Sequence, residues 1–260
     1  MEIPFTKASA CGNDFLIIDG TLAPEQLHEL TRQICDRHNG VGADGVEWLY
    51  ASSDADVEAR LINADGSEAE ISGNGTRCVA AYLSAESKKE VVTIRTGAGL
   101  KKCTLVARSG NTAEFETAMG TPRVDPKMAI ATSYGEVEGI PVSMGNPHFV
   151  VFVEKFWDDW QARSAEMQRS PLFKQGINIE LVRIENKSTI DVRFFERGVG
   201  ETRSSGTGSS AAAVASISSG RVQSPVIVQA PGGPQTVRFH HEEVFLRGPA
   251  TLICEGRTFV

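Results

Sequence analysis

Several features that would point to a particular class of protein are scarce or absent in this 260-residue sequence. The five cysteines are odd in number and none lies in a CxxC pair, which excludes a zinc knuckle and a disulfide framework. No apolar run approaches 18 residues, so we expect no transmembrane helix and no membrane partner. The net charge is −7 and no basic cluster exceeds two lysines, which argues against nucleic acid as a partner. The first residues lack a basic region followed by an apolar segment, so we expect a cytoplasmic protein without a signal peptide.

The residues that are present predict an α+β chain with more strands than helices. Short segments rich in β-branched and aromatic residues predict strands, among them 14–19, 46–50, 90–96 and 149–153. Helices are predicted around 27–34, 77–87, 156–167 and 209–219. The two kinds of element do not alternate regularly, which favours α+β over a doubly wound sheet.

An internal repeat is the most informative feature of the sequence. Ser72-Gly-Asn-Gly and Ser205-Gly-Thr-Gly lie 133 positions apart. The same offset places Gly12-Asn13 on Gly145-Asn146, and it also aligns three residues between these motifs: Arg60 with Arg193, Asn63 with Glu196, and Glu68 with Glu201. The same offset, about half the chain length, therefore relates three separate places in the sequence. We predict two similar halves that arose by duplication, each with a glycine turn that leads into a helix.

Two such turns could support chemistry on a single ligand. The backbone N–H groups at a helix N-terminus bind anions, so two turns could hold one carboxylate from both sides. Ser72 and Ser205 would then face each other across the ligand, which is the geometry that inversion of an α-carbon requires. The alternative is that both serines are only helix N-caps.

Two further places carry candidate site residues. His148 follows Asn146-Pro147 at the start of a predicted strand, where a histidine can be functional or merely structural. Glu196-Arg197 ends another strand and could bind a zwitterion or form a solvated strand end. The segment 40–45 fits G-x-G-x-x-G, but a helix precedes it and a strand follows, so a dinucleotide site is rejected.

Taken together, the motifs closely resemble those of the diaminopimelate epimerase family. They occur in the family's order over nearly the whole chain and include Cys11-Gly-Asn-Asp-Phe, Gly40-Val-Gly-Ala-Asp-Gly, Asn63-Ala-Asp-Gly-Ser, Ser72-Gly-Asn-Gly-Thr-Arg-Cys78, Gly145-Asn-Pro-His148, Glu196-Arg-Gly-Val-Gly-Glu-Thr202, Ser205-Gly-Thr-Gly and Pro231-Gly-Gly. The resemblance implies an amino-acid epimerase that needs neither pyridoxal phosphate nor any other cofactor. It would convert LL-diaminopimelate to the meso form for lysine and peptidoglycan synthesis, usually as a homodimer.

The resemblance also implies a fold and a set of site residues. Each half would be a curled mixed sheet around a central helix, with residues 1–119 plus 252–260 in one half, 120–251 in the other, and the active site in the cleft between them. The residues implied to hold the reacting carboxylate are Gly73, Asn74, Gly206 and Thr207. Those implied to contact the rest of the substrate are Asn13, Asn63, Asn146, Asn178, Glu196 and Arg197. His148 and Glu196 would assist the reacting centre.

The sequence departs from the family at its acid and base. The family uses two cysteines, one opening each glycine turn, and this chain has Ser72 and Ser205 there; Cys78 matches a family cysteine that is not catalytic. A serine hydroxyl is roughly five pKa units less acidic than a thiol, which corresponds to about five decades in rate if nothing compensates. Three origins stay open: an engineered double replacement, a homologue that binds without epimerising, and another reaction of the superfamily that uses a different base.

Overall fold

The computed structural model describes residues 2–259 and divides into two compact units. Unit 1 comprises the chain up to Thr117 together with the chain from Gly248 onward, and unit 2 is Ala118–Arg247. The boundaries expected from the sequence, after residues 119 and 251, fall within the same two strands, Thr112–Gly120 and Glu243–Phe259.

Apart from two additional strands at the start of unit 2 and a short 3-10 helix in unit 1, the two units contain the same kinds of element in the same order. The elements of unit 1 are β1 (Glu2–Ala10), β2 (Asn13–Asp19), α1 (Leu27–Cys35), β3 (Gly45–Tyr50), β4 (Val57–Asn63), β5 (Glu68–Ala69), α2 (Gly73–Ser87), β6 (Val91–Thr96), β7 (Gly99–Ser109) and β8 (Thr112–Gly120), with a short 3-10 helix at Gly20–Leu22. Those of unit 2 are β9 (Arg123–Val124), β10 (Met128–Thr132), β11 (Gly135–Ser143), β12 (Pro147–Phe152), α3 (Trp160–Gln168), β13 (Asn178–Asn186), β14 (Thr189–Glu196), β15 (Gly200–Thr202), α4 (Gly206–Ser218), β16 (Val226–Gln229), β17 (Gln235–His240) and β18 (Glu243–Phe259), whose second part belongs to unit 1.

The strand pairings of unit 1 recur in unit 2. In unit 1, β1 is antiparallel to β2, β2 is parallel to β3, β3 is antiparallel to β4, and β4 pairs with both β5 and β6. In unit 2, β11 to β16 repeat this series. Phe15 pairs with Gly45, and His148 pairs with Asn178, so both partners are displaced by the same 133 residues. The predicted duplication and the mixed sheets are therefore confirmed.

The offset changes by one residue between the start of the central helix of each unit and the strand that follows it. Val57 pairs with Ile94 in unit 1, whereas Ile190 pairs with Val228 in unit 2. The first partners differ by 133 positions (190 − 57) and the second partners by 134 (228 − 94). Unit 2 thus holds one more residue than unit 1 between the start of its central helix and the paired residues of the strand that follows.

Each sheet is covered on both faces by a helix. The central helices α2 and α4 contribute small buried side chains to one core, mainly the alanines at 80–81 and 211–213. Small residues allow a helix to approach the concave face of a curled sheet closely. The outer helices α1 and α3 pack on the other face, where Leu30 and Ile34 of α1 contact a core that includes Val46 and Trp48. Alternate residues of one strand therefore contact different helices.

The predicted helices are confirmed, with changes in where they begin. The central helices start at Gly73 and Gly206, several residues earlier than predicted, because the glycine turns themselves form the first helical turns. The helix predicted from residue 156 begins only at Trp160, because Phe156 and Trp157 pack against the outer core of unit 2 from the preceding segment. Within residues 2–259, the helices fall short of the length and apolar character needed to cross a membrane.

Candidate active site

Ser72 of unit 1 and Ser205 of unit 2 occupy equivalent positions at the start of the two central helices. Both residues have extended backbone, with φ and ψ of −120° and 123° at Ser72 and of −141° and 126° at Ser205. The Gly75 N–H donates to Ser72 Oγ over 3.1 Å, and the Gly208 N–H donates to Ser205 Oγ over the same distance. The capping role proposed as the alternative is thus present in both units. It does not use the hydroxyl hydrogen of either serine, which can still be donated to another group.

In unit 1, Asn13 and Asn74 lie together beside the Ser72 turn. Asn74 Nδ2 donates to Asn13 Oδ1 over 2.6 Å, and Asn13 Nδ2 donates to Asp44 Oδ2 over 3.1 Å. Gly12, which precedes Asn13, has a φ of +83°, and its repeat counterpart Gly145 has a φ of +98°. Both turns therefore require the left-handed backbone that glycine tolerates.

Asn63, at the end of β4, makes its side-chain hydrogen bond within its own turn. Its Nδ2 donates to Ser67 Oγ over 3.0 Å, and the side chain is half-buried. Its backbone N–H also donates to the Ser67 carbonyl over 2.8 Å, so the turn after β4 is held by two bonds.

In unit 2, the equivalent pair is Asn146 and Thr207, and it extends to a buried histidine. Asn146 Nδ2 lies 3.3 Å from Thr207 Oγ1, and His148 Nε2 lies 3.0 Å from Asn146 Oδ1. His148 Nδ1 lies 2.7 Å from Glu180 Oε1, and both of these side chains are fully buried. A ring tautomer that donates from Nε2 to the Asn146 carbonyl oxygen leaves Nδ1 as an acceptor that faces the Glu180 carboxyl. Burial raises the pKa of Glu180, which favours the protonated carboxyl that can donate to this nitrogen.

Glu196 lies beside Ser205 and is the third ionisable group of this cluster, after His148 and Glu180. Thr202 Oγ1 donates to Glu196 Oε1 over 2.7 Å. Burial raises the pKa of the Glu196 carboxyl, and the nearby Glu180 raises it further. The hydrogen bond from Thr202, the nearby His148 and the Ser205 hydroxyl act in the opposite direction without cancelling the rise. The structure therefore brings Ser205, His148 and Glu196 into one cluster.

Asn178 and Arg197 are adjacent to each other in unit 2. Asn178 Nδ2 donates to the Pro147 carbonyl over 3.0 Å, and its Oδ1 accepts the Arg197 backbone N–H over 2.9 Å. Asn178 thereby fixes the two backbone segments that carry His148 and Glu196. The Arg197 side chain is exposed and donates to the Gln175 carbonyl over 2.8 Å.

Sequence reasoning missed three buried charged residues at these turns: Glu47, Arg77 and Glu180. Glu47 is 3% exposed, and its carboxyl occupies the space that a Cβ on Gly75 would need. Arg77 is fully buried; its Nη1 donates to the Gly73 carbonyl over 3.1 Å, and its Nη2 donates to Asn74 Oδ1. The signal that could have identified the two carboxyls is the repeat itself, since Glu47 and Glu180 differ by the same 133 positions (180 − 47).

Burial raises the pKa of Glu47 to about 8, and we expect this shift to make stability depend on pH. The unfolded carboxyl titrates near 4.5, so between the two values the folded chain holds a proton that the unfolded chain has released. Stability therefore falls as pH rises through this window. Between pH 5 and pH 8, the unfolding free energy of the native chain should drop relative to that of Glu47→Gln by about 3–4 kcal/mol.

Urea unfolding at a series of pH values measures this difference. Glu90→Gln, which changes an exposed carboxyl in the same unit, is the matched control and should follow the native profile. Parallel curves for Glu47→Gln and the native chain would contradict the raised pKa of Glu47.

The described residues give no indication of a metal centre. No group of three or more His, Cys, Asp or Glu side chains that could hold an ion occurs within residues 2–259.

Comparison with known proteins relates this sequence to diaminopimelate epimerases. The sequence matches the family model for diaminopimelate epimerase over residues 5–124 and 140–253. It is 34% identical to a diaminopimelate epimerase of Halothermothrix orenii over 100% of this chain and 99% of that protein. It is 35% identical to a diaminopimelate epimerase of Pelotomaculum thermopropionicum over 97% of both chains.

Solved structures with the same fold are more distant in sequence. A phenazine biosynthesis protein of the PhzF family from Bacillus anthracis aligns with a TM-score of 0.75 at 17% identity and covers 100% of both chains. A hydroxyproline epimerase from Agrobacterium vitis, solved with bound trans-4-OH-L-proline, aligns with a TM-score of 0.73 at 18% identity over 99% of this chain and 91% of that one. At these identities the similarity concerns the fold.

Proposed function

The chain belongs to the diaminopimelate epimerase family, and from that premise we propose that it interconverts LL- and meso-diaminopimelate by proton transfer at Cα. The observation that carries this proposal is the pair of equivalent glycine turns, each with a serine whose Oγ accepts a backbone N–H over 3.1 Å. A donor aimed at that oxygen stabilises negative charge as it develops there. No cofactor takes part in the proposed reaction.

In the proposed reaction, Ser72 and Ser205 act on opposite faces of one α-carbon. One hydroxyl oxygen receives the Cα proton, and the other returns a proton from the far side. The substrate carboxylate would lie between the two turns, against the backbone of Gly73 and Gly206 and the side chains of Asn74 and Thr207. This arrangement requires the two units to form a single cleft.

The other site residues are proposed to orient the substrate and assist the reacting centre. Asn13, Asn63, Asn146, Asn178 and Arg197 would serve the end of diaminopimelate that does not react. His148 and Glu196 would hold and move protons near Ser205, which their common cluster supports.

The serines are proposed to make this catalysis slow relative to that of a family member with two thiols. The hydroxyl is roughly five pKa units less acidic than a thiol, whereas oxygen is smaller than sulfur, so the pocket still accommodates the ligand. Binding should therefore be retained better than turnover.

Deuterium incorporation at Cα of LL-diaminopimelate in heavy water tests the proposal, because it detects proton exchange at even one face. Exchange above the buffer rate supports the epimerase. Calorimetric binding without exchange would identify a non-catalytic amino-acid-binding homologue. If neither occurs, diaminopimelate is not the ligand.

Arg197→Ala is expected to weaken diaminopimelate binding by a few kcal/mol, because a substrate carboxylate would lose a charged partner. Isothermal titration calorimetry measures the dissociation constant, and Arg169→Ala, which changes another exposed arginine of unit 2, is the control. An unchanged dissociation constant for Arg197→Ala would remove this residue from the site.

The proposed cellular context is lysine and peptidoglycan synthesis in the cytoplasm, with the chain assembled as a homodimer. Sedimentation velocity tests the assembly, since a single species with the mass of one chain would exclude the dimer.

A further inference from the structure

The two serines differ in the proton-carrying groups that surround them. Ser205 has His148 and Glu196 in its cluster. The repeat places Phe15 (148 − 133) and Asn63 (196 − 133) at the corresponding positions of unit 1, and neither side chain can accept a proton. Ser72 therefore needs another group if it is to exchange protons.

Glu47 is the buried carboxyl that unit 1 places beside Ser72. Its Cδ lies 3.1 Å and Ser72 Cβ lies 3.3 Å from the point that a Cβ on Gly75 would occupy, so both side chains approach the same residue. Gly75 is also the residue whose N–H donates to Ser72 Oγ. Among the described residues of unit 1, Glu47 is the only buried carboxyl.

The position of Glu47 is occupied by a carboxyl in both halves. Glu180 Oε1 lies 2.8 Å and Ser205 Cβ lies 3.0 Å from the corresponding point on Gly208. In unit 2 this carboxyl is bound to His148, and its Oε2 is buried without a hydrogen-bond partner. A buried carboxyl is costly unless it is paired, so its presence next to both serines points to a role other than packing.

Glu47 also acts on the Cys78 thiol of α2, which is affected first by burial and then by Arg77, Glu47, Cys11 and Asp14. For Glu47 itself, burial is the cause of the raised pKa. Arg77 Nη1 and Nη2 donate to Gly73, Asn74 and Cys11, its Nε is buried without a partner, and Asp14 is paired with Lys7 and Arg37. These pairings leave Glu47 as the candidate acceptor for a proton from Ser72.

We propose that Glu47 is the proton acceptor of Ser72 and acts through the serine hydroxyl rather than on the substrate. This inference rests on the proposed function. As Ser72 Oγ takes the proton from Cα, the hydroxyl proton of Ser72 passes to the Glu47 carboxylate, and the electron pair of the C–H bond remains on the substrate. Ser205 then donates its proton to the opposite face and is reprotonated by the Glu196 carboxyl. After one turnover Glu47 is protonated and Glu196 is ionised, and solvent or the reverse reaction restores both.

The environment of Glu47 suits this task. Because burial raises its pKa to about 8, its ionised form is a stronger base than an ordinary carboxylate and is still populated near neutral pH.

A thiol at position 72 tests, without any substrate, whether Glu47 lies close to this position. In Ser72→Cys, the pH dependence of alkylation by iodoacetamide gives the pKa of the new thiol, and peptide mass spectrometry separates it from the exposed Cys254. A nearby carboxylate disfavours the thiolate, so adding Glu47→Gln should lower this pKa by about half a unit or more. The matched control is Ser205→Cys, whose thiol Glu47→Gln should leave unchanged. Identical titrations at position 72 with and without Glu47→Gln would overturn the proposal.

Deuterium exchange at Cα of diaminopimelate tests the role of Glu47 as the proton acceptor of Ser72. Glu47→Gln should lower the deuterium exchange rate about 100-fold when position 72 is serine, with partial recovery in Glu47→Asp. In the chain with Ser72→Cys and Ser205→Cys, Glu47→Gln should lower the exchange rate less than about threefold, since a thiol ionises without passing its proton to Glu47. Equal losses of exchange rate in the serine chain and in the double-cysteine chain would show that Glu47 has only a structural role, and would overturn the proposal.

The remaining outcomes separate this proposal from the proposed function. If only the double-cysteine chain exchanges, diaminopimelate is the substrate but Glu47 does not serve Ser72, and the proposal is overturned. If neither chain exchanges or binds diaminopimelate, the proposed function fails, and the thiol titration then decides whether Glu47 acts on position 72.

Discussion

Replacing Ser72 and Ser205 together by cysteine is expected to raise the rate of deuterium exchange at Cα of diaminopimelate by about three to five orders of magnitude. The Gly75 and Gly208 N–H groups that donate to the serine oxygens would stabilise the thiolates in the same way, as would the positive ends of α2 and α4. The two single replacements should each speed exchange at one face of the α-carbon only. Mass spectrometry and proton NMR in heavy water measure the rate and the stereochemistry.

Calorimetry provides the control for this experiment. The double variant should bind diaminopimelate about as tightly as the native chain, since the contacts assigned to the carboxylate are backbone groups and the side chains of Asn74 and Thr207. If it binds diaminopimelate and exchanges no faster than the native chain, the two-base mechanism does not apply to this protein.

Arg77→Ala is expected to lower the unfolding free energy by about 3–5 kcal/mol, the largest loss of stability that we predict. The substitution leaves a cavity in a fully buried position and removes the donors to the Gly73 carbonyl and to Asn74 Oδ1. Both of these acceptors belong to the turn that begins α2, so the loss should also loosen the proposed carboxylate site. Urea unfolding followed by circular dichroism measures the change.

Arg60→Ala is the control for the effect of removing an arginine from unit 1. Its Nη2 lies 3.0 Å from Glu68 Oε2, and the two side chains are 39% and 44% exposed, so its loss should cost less than about 1 kcal/mol. A cost for Arg77→Ala no greater than that for Arg60→Ala would show that the buried network adds little to stability.

Features that depend on a local motif or on the internal repeat could be predicted from the sequence. The glycine turns, the strands around them and the duplication could be predicted because residues 72–75 and 205–208 carry a motif, and the offset links them. The helix from residue 156 was placed too early, since Phe156 and Trp157 contribute to the outer core without being helical.

The buried carboxyls could not be predicted from local pattern. Glu47 alternates with Val46 and Trp48 along β3, which resembles a strand with one face in water. The structure covers that face with α2, so the alternation separates two cores rather than core from solvent. The contact between His148 and Glu180 depends on the parallel pairing of β12 with β13, which joins residues 32 positions apart.

The lengths of corresponding segments in the two units indicate where this chain tolerates insertions. From β2 and β12 to the serines, the two copies have the same net length. They differ by one residue in the hairpin before this stretch, where Ala10 pairs with Asn13 and Ser143 pairs with Pro147, and by one residue between the start of each central helix and the strand that follows. The spacing of the residues that lead to each glycine turn has therefore been kept, whereas the segments before and after it have changed length. Peptide tags or additional residues introduced after Ser87 or Ser218 would follow a change that one copy of the fold has already accepted.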